Sequence, residues 1–431
     1  MPPLVSIVIL SYRRPDLLEL CLRSLEMHPP QGLAYEVIVV GNGLEIGALA
    51  DIQRKFPHVL VESSPTNLGF AGGCNRGAQR AQGRYIALLN DDAEVDDGWL
   101  EALVETIESS PRVGAVGSRI LFADGTLQEA GSILWSDGST HHIGSGDDAD
   151  APEHAVARDV DYCSGASLLV RRALWDEVGG LEEDFHPAYY EDVDLCLAIE
   201  ARGWRVVYEP RSVIRHLEGA STDAHFRAFL MRRNRARLQE KWTDALLLRE
   251  PPPRDGAVAA AVAGATRRRQ AAETAATPPA VTPPTGEVAA RIAEPARGAA
   301  ELEAELRVRR QEVADLETAR RHLERDAAVR DEYIDEVRRE AEADQARATA
   351  LQSALEACRG ELDGARHELL TAQAAVAEAQ AQARLLEHLR YRLADRLNDA
   401  SWRVPALHTG VKSALRAGNR LRELMRSRPR H

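Results

Sequence analysis

The sequence has few cysteines and few aromatic residues, and neither group is spread evenly along the chain. Aromatic residues make up 5% of the 431 residues, and no phenylalanine occurs beyond Phe229. We therefore expect a core of large side chains only in the N-terminal part. The cysteines lack the paired spacing of a zinc site, and their odd, scattered set is typical of a reducing compartment. They are Cys21, Cys74, Cys163, Cys196 and Cys358.

Long apolar runs are also missing from the sequence. No run approaches the ~18 residues of a membrane-spanning helix. The apolar run at residues 5–10 is too short for a secretion signal. The formal net charge of −13 argues against general nucleic-acid binding. A cytoplasmic protein is the resulting expectation.

The N-terminal part alternates between short apolar runs and segments of helical periodicity. The runs predict strands at 4–10, 35–40, 59–62 and 84–89, and the periodic segments predict helices at 15–26, 46–55 and 70–82. This alternation predicts an α/β fold with a mostly parallel sheet. Ligands of such sheets bind at the carboxyl ends of the strands. Polar clusters stand at those ends: Ser11-Tyr12, Gly41-Asn42 and Asn90-Asp91-Asp92.

Strand-like segments resume at 160–170 and 204–208, after a polar stretch at 134–158 that predicts a mobile loop. Between these strands, an acidic turn leads into a predicted helix at 191–201.

The chain changes character at Pro251. Proline clusters among Ala and Thr predict a linker at 249–297. An apolar heptad repeat then runs from Leu302 to Leu397 and predicts a left-handed coiled coil over 298–400. A solvated single helix is the alternative, and charged residues weaken the seam at Arg309, Arg320, Arg330, Asp344 and Arg390.

Residues 401–431 form a basic tail with a thin apolar face made by Val411, Leu415 and Leu421. Such a tail can dock on anionic lipid as an amphipathic helix. It is equally consistent with a solvated basic tail.

Two acidic motifs and one histidine are candidates for chemistry. Asp91 and Asp92 follow a predicted strand and could hold a hard divalent cation through oxygen, or could simply cap a helix. Asp192, in Glu191-Asp192-Val193-Asp194, could deprotonate a hydroxyl, or the motif could serve as the acidic first turn of a helix. His216 follows a strand and, taken alone, a histidine of this kind is more often structural than a ligand.

Residues 4–245 as a whole resemble the family 2 glycosyltransferases of the GT-A fold, of the rhamnosyltransferase kind. The resemblance is carried by motifs in matching order: 5–14, 67–77, 87–92, 190–195, and Arg215-His216 with Gly219 and Ser221. Several motifs in order are more specific than any one alone.

The resemblance implies a GT-A nucleotide-diphospho-sugar transferase fold. It implies an inverting, metal-dependent transfer of a hexosyl or rhamnosyl unit to a hydroxyl acceptor, in cell-surface polysaccharide or glycolipid synthesis. Asp192 would be the catalytic base and Glu191 would bind the acceptor, with Mg²⁺ or Mn²⁺ on Asp92 and His216. Donor-binding residues would be Ser11, Tyr12, Arg14, Asn42, Asn67, Gly69, Asn75 and Asp91.

The chain departs from the family pattern at two positions. Gly41 stands where a carboxylate usually contacts the nucleotide base, which leaves the identity of the donor's base open, and Asn90 replaces the first acid of the metal motif.

The expected domains are a transferase domain at 1–248, the linker at 249–297, the coiled coil at 298–400 and the tail at 401–431. The coiled coil would make the protein a homo-oligomer. The alternative function is a catalytically weak scaffold that assembles through its coiled coil.

Overall fold

The structure is a computed structural model that describes residues 2–217, 223–253, 262 and 297–403. Its strands are β1 (Val5–Ser11), β2 (Tyr35–Asn42), β3 (Leu60–Ser64), β4 (Tyr85–Asn90), β5 (Ala93–Val95), β6 (Val113–Leu121), β7 (Leu127–Glu129), β8 (Ser132–Leu134), β9 (Thr140–His142), β10 (Arg158–Asp159), β11 (Ser167–Arg171) and β12 (Arg205–His216). Its helices are α1 (Pro15–Met27), α2 (Ile46–Lys55), α3 (Gly69–Arg80), α4 (Trp99–Glu108), α5 (Arg172–Val178), α6 (Glu191–Ala201), α7 (Ala224–Lys241), α8 (Thr243–Leu247) and α9 (Arg297–Arg403).

One mixed sheet forms the centre of the N-terminal part. Its strand order is β10-β12-β6-β11-β4-β1-β2-β3, with β5 paired to β12 and β7 paired to β6. Strands β4, β1, β2 and β3 are parallel, and β12 is parallel to β6. Strand β11 runs antiparallel between β4 and β6. The parallel half places the ends of β1, β2 and β4 at one edge of the sheet.

Apolar layers cover both faces of this sheet. One layer packs α1, α2 and α4 on the side chains of Ile7 and Ile9, and the other packs α3, α5 and α6 on Val8 and Leu10. Every residue of β1 is buried, which is why it reads as a continuous apolar run rather than an alternating one. Helix α3 can lie close to β1 because residue 73 is glycine. A Cβ at this position would stand 2.1 Å from Leu10 Cδ1.

The predicted α/β class, with a mostly parallel sheet followed by a long helix, is confirmed. Every strand and helix predicted up to residue 90 is present. Three later predictions differ from the structure. Strand β12 continues beyond the predicted end at 208 to His216, because it pairs with β6 on one side and β5 on the other. In the segment 160–170, only Ser167–Arg171 joins the sheet as β11. The predicted loop 134–158 contains β9 and a 3₁₀ turn at Pro152–His154.

Helix α9 spans 107 residues and confirms that the heptad region is helical. The chain divides into two compact units, Met1–Glu336 and Val337–His431, so the first part of α9 belongs to the N-terminal unit. Among the described residues, no helix has the length and apolar character needed to cross a membrane. Gly219, Ser221, most of the predicted linker and the tail from residue 404 lie outside the described residues.

Candidate active site

A cavity of about 850 Å³ opens at the carboxyl ends of β1, β2 and β4. Most of the residues singled out from the sequence line it, although they come from distant parts of the chain. These are Tyr12, Asn42, Asn67, Gly69, Asp91, Asp92, Glu191, Asp192 and His216. The cavity therefore joins the predicted donor, metal and base residues in one site.

Asp91 and Asp92 occupy the turn between β4 and β5, and each has an oxygen that meets no hydrogen-bond partner in the described part of the chain. These buried atoms are Asp91 Oδ2 and Asp92 Oδ1. Burial, with a smaller contribution from the adjacent Asp92 charge, raises the pKa of Asp91 to about 7. A buried carboxylate without a partner is costly unless a cation or proton compensates it.

Strand β12 brings His216 to this turn. His216 pairs with Ala93 across the β12–β5 ladder, and its Nε2 lies 3.1 Å from Asp92 Oδ1. Its Nδ1 lies 3.2 Å from Gln128 Oε1. Since an amide oxygen only accepts, Nδ1 donates this hydrogen bond. Nε2 therefore faces the other side, where Asn90 Nδ2 also lies 3.1 Å away.

The arrangement fits a hard divalent cation. A carboxylate oxygen and an imidazole lone pair converge at one place, and the second ring nitrogen is held by an amide oxygen, as for histidines that bind metals. Within the described residues, no group of three or more His, Cys, Asp and Glu side chains is arranged around a common metal position. The protein supplies few ligands, and this is typical of Mg²⁺ and Mn²⁺ sites that use phosphate oxygens and water for the remainder.

Glu191 and Asp192 begin α6 on the opposite side of the cavity. Asp192 accepts hydrogen bonds from the amides of Gly165, at 3.1 Å from Oδ2, and of Val193, at 2.8 Å from Oδ1. Burial raises the pKa of Asp192 despite these bonds. Burial, followed by the neighbouring Asp192 charge, raises the pKa of Glu191 well above its usual range. This shift in pKa favours the protonated form of Glu191, whose Oε2 meets no hydrogen-bond partner among the described residues.

The third acid of this motif, Asp194, has a different role. Lys241 Nζ lies 2.9 Å from its carboxylate, and Trp242 Nε1 donates to it at 2.7 Å, so it ties α6 to the end of α7. The sequence alone does not separate the two aspartates. The structure directs Asp192 to the cavity and Asp194 to the helix packing.

Two consecutive tyrosines set the direction in which α6 enters the site. Tyr189 and Tyr190 have φ values of 80° and 79°, a left-handed conformation that is strained for residues other than glycine. Asn234 of α7 is fully buried, and its Nδ2 lies 2.9 Å from the carbonyl oxygens of Phe185, Ala188 and Tyr189. This amide holds the strained turn that precedes Glu191.

The donor side of the cavity is built from amides. Asn42 Nδ2 donates to Asn67 Oδ1 at 3.0 Å, and Asn42 Oδ1 accepts from the Leu68 amide at 2.6 Å. Gly69 has φ 71°, and a Cβ there would lie 2.6 Å from His186 Nδ1, so only glycine fits. At Gly41, a Cβ would lie 2.5 Å from Leu49 Cδ1. Leu49 therefore fills the space into which a carboxylate at position 41 would extend.

Three of the predicted donor residues do not line the cavity. Ser11 is fully buried at the end of β1, beside Asp91. Arg14 forms an ion pair with Asp16 at 2.7 Å, whereas its neighbour Arg13 reaches the cavity. Asn75 holds the segment after α5 through Leu181, whose carbonyl oxygen lies 2.8 Å from Asn75 Nδ2.

Sequence reasoning missed several residues that position the site. Gln128 orients His216, Gly165 binds Asp192, and Asn234 supports the strained turn. Asp326, on α9, also lines the cavity. Of these residues, only Asn234 could have been noticed in the sequence, because it is an uncharged polar residue among the arginines of α7. The others are indistinguishable in sequence from ordinary loop or surface residues.

Comparison with known proteins agrees with this geometry. Residues 6–179 match the Glycosyl transferase family 2 profile. The protein y4gI of Sinorhizobium fredii is 31% identical over 234 residues, which cover 51% of this chain and 25% of that protein. The O-antigen biosynthesis protein RfbC of Myxococcus xanthus is 32% identical over 231 residues, 52% of this chain and 18% of that protein. The chain therefore spans a quarter or less of these two relatives.

A third relative is matched over more of its own length. The N-acetylglucosaminyl-diphospho-decaprenol L-rhamnosyltransferase of Mycobacterium tuberculosis is 27% identical over 244 residues, 52% of this chain and 78% of that protein. The matched family segment contains β1 to β4, the Asp91-Asp92 turn and β11. The mostly parallel sheet agrees with the predicted GT-A type of fold, and residues 6–179 are similar to glycosyl transferase family 2.

Proposed function

We propose that the chain is an inverting, divalent-cation-dependent glycosyltransferase that moves a hexosyl or rhamnosyl unit from a nucleotide-diphospho-sugar to a hydroxyl group. One observation carries this proposal. A single cavity holds the Asp92–His216 pair on one side and the Asp192 carboxylate on the other. These are the groups that charge neutralisation of a diphosphate and deprotonation of a hydroxyl require.

The cation site would be formed by Asp92 and His216, with Asp91 beside it. A Mg²⁺ or Mn²⁺ ion bound there would supply positive charge to the diphosphate leaving group. The chain itself contributes two acceptors that converge at 3.1 Å and a hydrogen bond from His216 to Gln128 that fixes the imidazole tautomer. The Asn42–Asn67 pair and Tyr12 would hold the nucleoside part of the donor.

Asp192 would remove the proton of the acceptor hydroxyl as the oxygen attacks the anomeric carbon. The amides of Gly165 and Val193 donate hydrogen bonds to the carboxylate and orient it. Glu191, whose pKa is raised by burial, would in its protonated form donate a hydrogen bond to another acceptor oxygen. One displacement by one base inverts the anomeric configuration, since the attacking oxygen and the departing diphosphate stand on opposite sides of the sugar.

The relatives suggest which acceptor class to examine first. Their names refer to O-antigen biosynthesis and to a lipid-linked diphosphosugar. We therefore propose a glycan or lipid-linked acceptor in the synthesis of a cell-surface polysaccharide or glycolipid. We place the reaction in the cytoplasm, with the basic tail at the inner face of the cell membrane.

The experiment is a screen of UDP-, GDP- and dTDP-sugars with the full chain, with Mn²⁺ or with a chelator. Release of the nucleoside diphosphate is measured with and without a panel of glycan and lipid-linked acceptors. We expect release from at least one donor only when Mn²⁺ is present. A chain that binds no donor, yet forms a stable oligomer, would instead favour the scaffold function.

We further propose that α9 makes the protein a homo-oligomer. Large apolar side chains of the heptad repeat are exposed along this helix, including Leu323 (56%), Leu355 (53%) and Leu362 (67%). A row of this kind is the contact surface of a coiled coil. Light scattering of the full chain should give a multiple of the 47.3 kDa chain mass. A monomeric mass would contradict the oligomer.

A further inference from the structure

A short part of α9 packs against the N-terminal domain and reaches the cavity. His322 and Val329 are buried there, and Tyr333 lies 5.1 Å from Phe226 and 5.3 Å from Phe229 between ring centres. Ion pairs border this contact, among them Arg233 with Glu332 at 2.6 Å. The face that docks is offset from the heptad seam, whose Leu323 and Ile334 stay exposed. Docking and oligomer formation therefore use different faces of the helix.

This contact inserts one carboxylate, that of Asp326, into the cavity lining. Asp326 Oδ1 lies 2.6 Å from His186 Nε2 and accepts a hydrogen bond from Asn67 Nδ2 at 3.2 Å. Asn67 in turn is bonded to Asn42. Asp326 thus ends a row of polar side chains that crosses the donor side of the cavity.

The carboxylate of Asp326 is ionised and has acceptor capacity left. Burial raises its pKa, but the contact with His186 and the charge of Arg330 outweigh burial, and the net pKa lies below the usual value. Within the described part of the chain, both of its hydrogen bonds use Oδ1. Its side chain is 20% exposed, so the carboxylate is partly accessible to a ligand.

We propose that Asp326 is a donor-binding residue, whose Oδ2 accepts a hydrogen bond from an N–H or hydroxyl group of the donor nucleoside. The inference rests on the proposed transfer from a nucleotide-diphospho-sugar. Strand β2 carries no carboxylate at Gly41, and Leu49 fills the space beside it. The long helix supplies an acidic side chain to the same cavity from outside the segment matched by the family. The specificity for the nucleoside would then depend on a residue far from the sequence motifs.

The neighbours of Asp326 indicate the nucleoside rather than the diphosphate as its partner. Asn67 and His186, which it contacts, adjoin Asn42 and Gly69, whereas the candidate cation site is made by the separate β4–β5 turn and β12. A carboxylate that faced the diphosphate would repel it. A nucleoside offers neutral donors, and a charged acceptor strengthens the bond that they make.

The test compares full-length variants by titration with UDP, GDP and dTDP in the presence of Mn²⁺. Asp326→Asn keeps an Oδ1 that accepts from Asn67 and His186 but turns Oδ2 into a donor. We expect roughly tenfold weaker binding of the preferred nucleotide for both Asp326→Asn and Asp326→Ala. Asp331→Asn, an exposed acid on the same helix, should bind like the wild type. Glu332→Gln, which removes an ion pair at the rim of the contact, should also bind normally.

The possible outcomes separate this inference from the proposed function. If the wild type binds none of the three nucleotides with Mn²⁺, both fail. If the wild type binds and Asp326→Asn binds equally well, Asp326 only positions Asn67 and His186, and the inference alone fails. Tighter binding by Asp326→Ala would overturn it too, because the carboxylate would then act as a barrier to the donor.

Discussion

His216 Nε2 lies 3.1 Å from Asp92 Oδ1, although Asp92 stands in the turn after β4 and His216 ends β12, far later in the chain. Two acceptors at this distance repel each other unless a cation or proton lies between them. The described residues provide no hydrogen-bond partner for Asp92 Oδ1. The pair is therefore the place in the site where a cation or a proton would relieve this repulsion.

The first prediction concerns this pair. His216→Ala and Asp92→Asn should each abolish the rise in melting temperature that Mn²⁺ and a nucleoside diphosphate give the wild type, because each removes a ligand of the ion. Differential scanning fluorimetry measures the effect. His58→Ala, at an exposed position, is the matched control and should retain the full shift. A normal shift in His216→Ala would remove the histidine from the cation site.

The second prediction concerns the protonation of Glu191. Because its raised pKa favours the protonated form, Glu191→Gln preserves its hydrogen-bonding capacity and should keep the transfer rate within about threefold of the wild type. Glu191→Ala removes the donor and should raise KM for the acceptor roughly tenfold. Initial rates at varied acceptor concentration provide the measurement. A large loss in Glu191→Gln would mean that the ionised carboxylate is needed.

The pH dependence of stability supplies an independent check on Glu191. A carboxyl group whose pKa is raised in the folded state holds its proton after the unfolded chain has lost it. Its contribution to stability is complete below the unfolded pKa and is lost as the pH rises through the folded pKa. Glu191→Gln removes this loss, so the variant should gain stability relative to the wild type between pH 5 and pH 8. Urea unfolding at both pH values measures the difference in free energy of unfolding between the variant and the wild type. A difference that is the same at pH 5 and pH 8 would contradict the raised pKa.

The third prediction is a pH profile of catalysis. As the proposed base, Asp192 would act in its ionised form, and burial raises its pKa. The transfer rate should therefore fall as the pH decreases, with a midpoint above the 3.8 expected for an ordinary aspartate. The profile of kcat at saturating donor and Mn²⁺ reports the bound enzyme. A transfer rate that stays constant down to pH 4 would argue against a raised pKa of Asp192.

The fourth prediction concerns the support of the strained turn. Asn234→Ala removes the donor that three carbonyl oxygens share, one of them fully buried, and should lower the free energy of unfolding by about 1–3 kcal/mol. It should also reduce kcat, since Tyr189 and Tyr190 would relax from their left-handed conformation and turn α6 away. Donor affinity should stay near the wild-type value. Loss of donor affinity with kcat unchanged would be inconsistent with this role.

Much of the fold could be predicted because the apolar pattern and the helix periodicity agree over the first ninety residues. Strand β1 is buried on both faces, and α1 begins at Pro15 with its apolar side on the sheet. The full length of β12 could not be predicted, since its second half is defined by pairing with β5 and β6. Pairing between distant segments leaves little trace in the local sequence of either one.

The same distinction applies to the site. Asp92, Asp192 and His216 belong to short motifs whose order is informative, and the structure brings them into one cavity. Gln128 and Asp326 reach it through tertiary contacts with no local motif. The heptad pattern of α9 predicted that the segment is helical. It did not predict the docking face, with Val329 and Tyr333, because this face is offset from the heptad seam.

The central claim is that Asp192 is the base of a cation-dependent sugar transfer. The most direct measurement compares the wild type with Asp192→Asn in Mn²⁺, following both donor binding and sugar transfer in the same preparation. The account predicts donor affinity within about twofold of the wild type and transfer reduced by at least about a hundredfold, as expected when a general base is removed. Transfer at the wild-type rate in Asp192→Asn would contradict it.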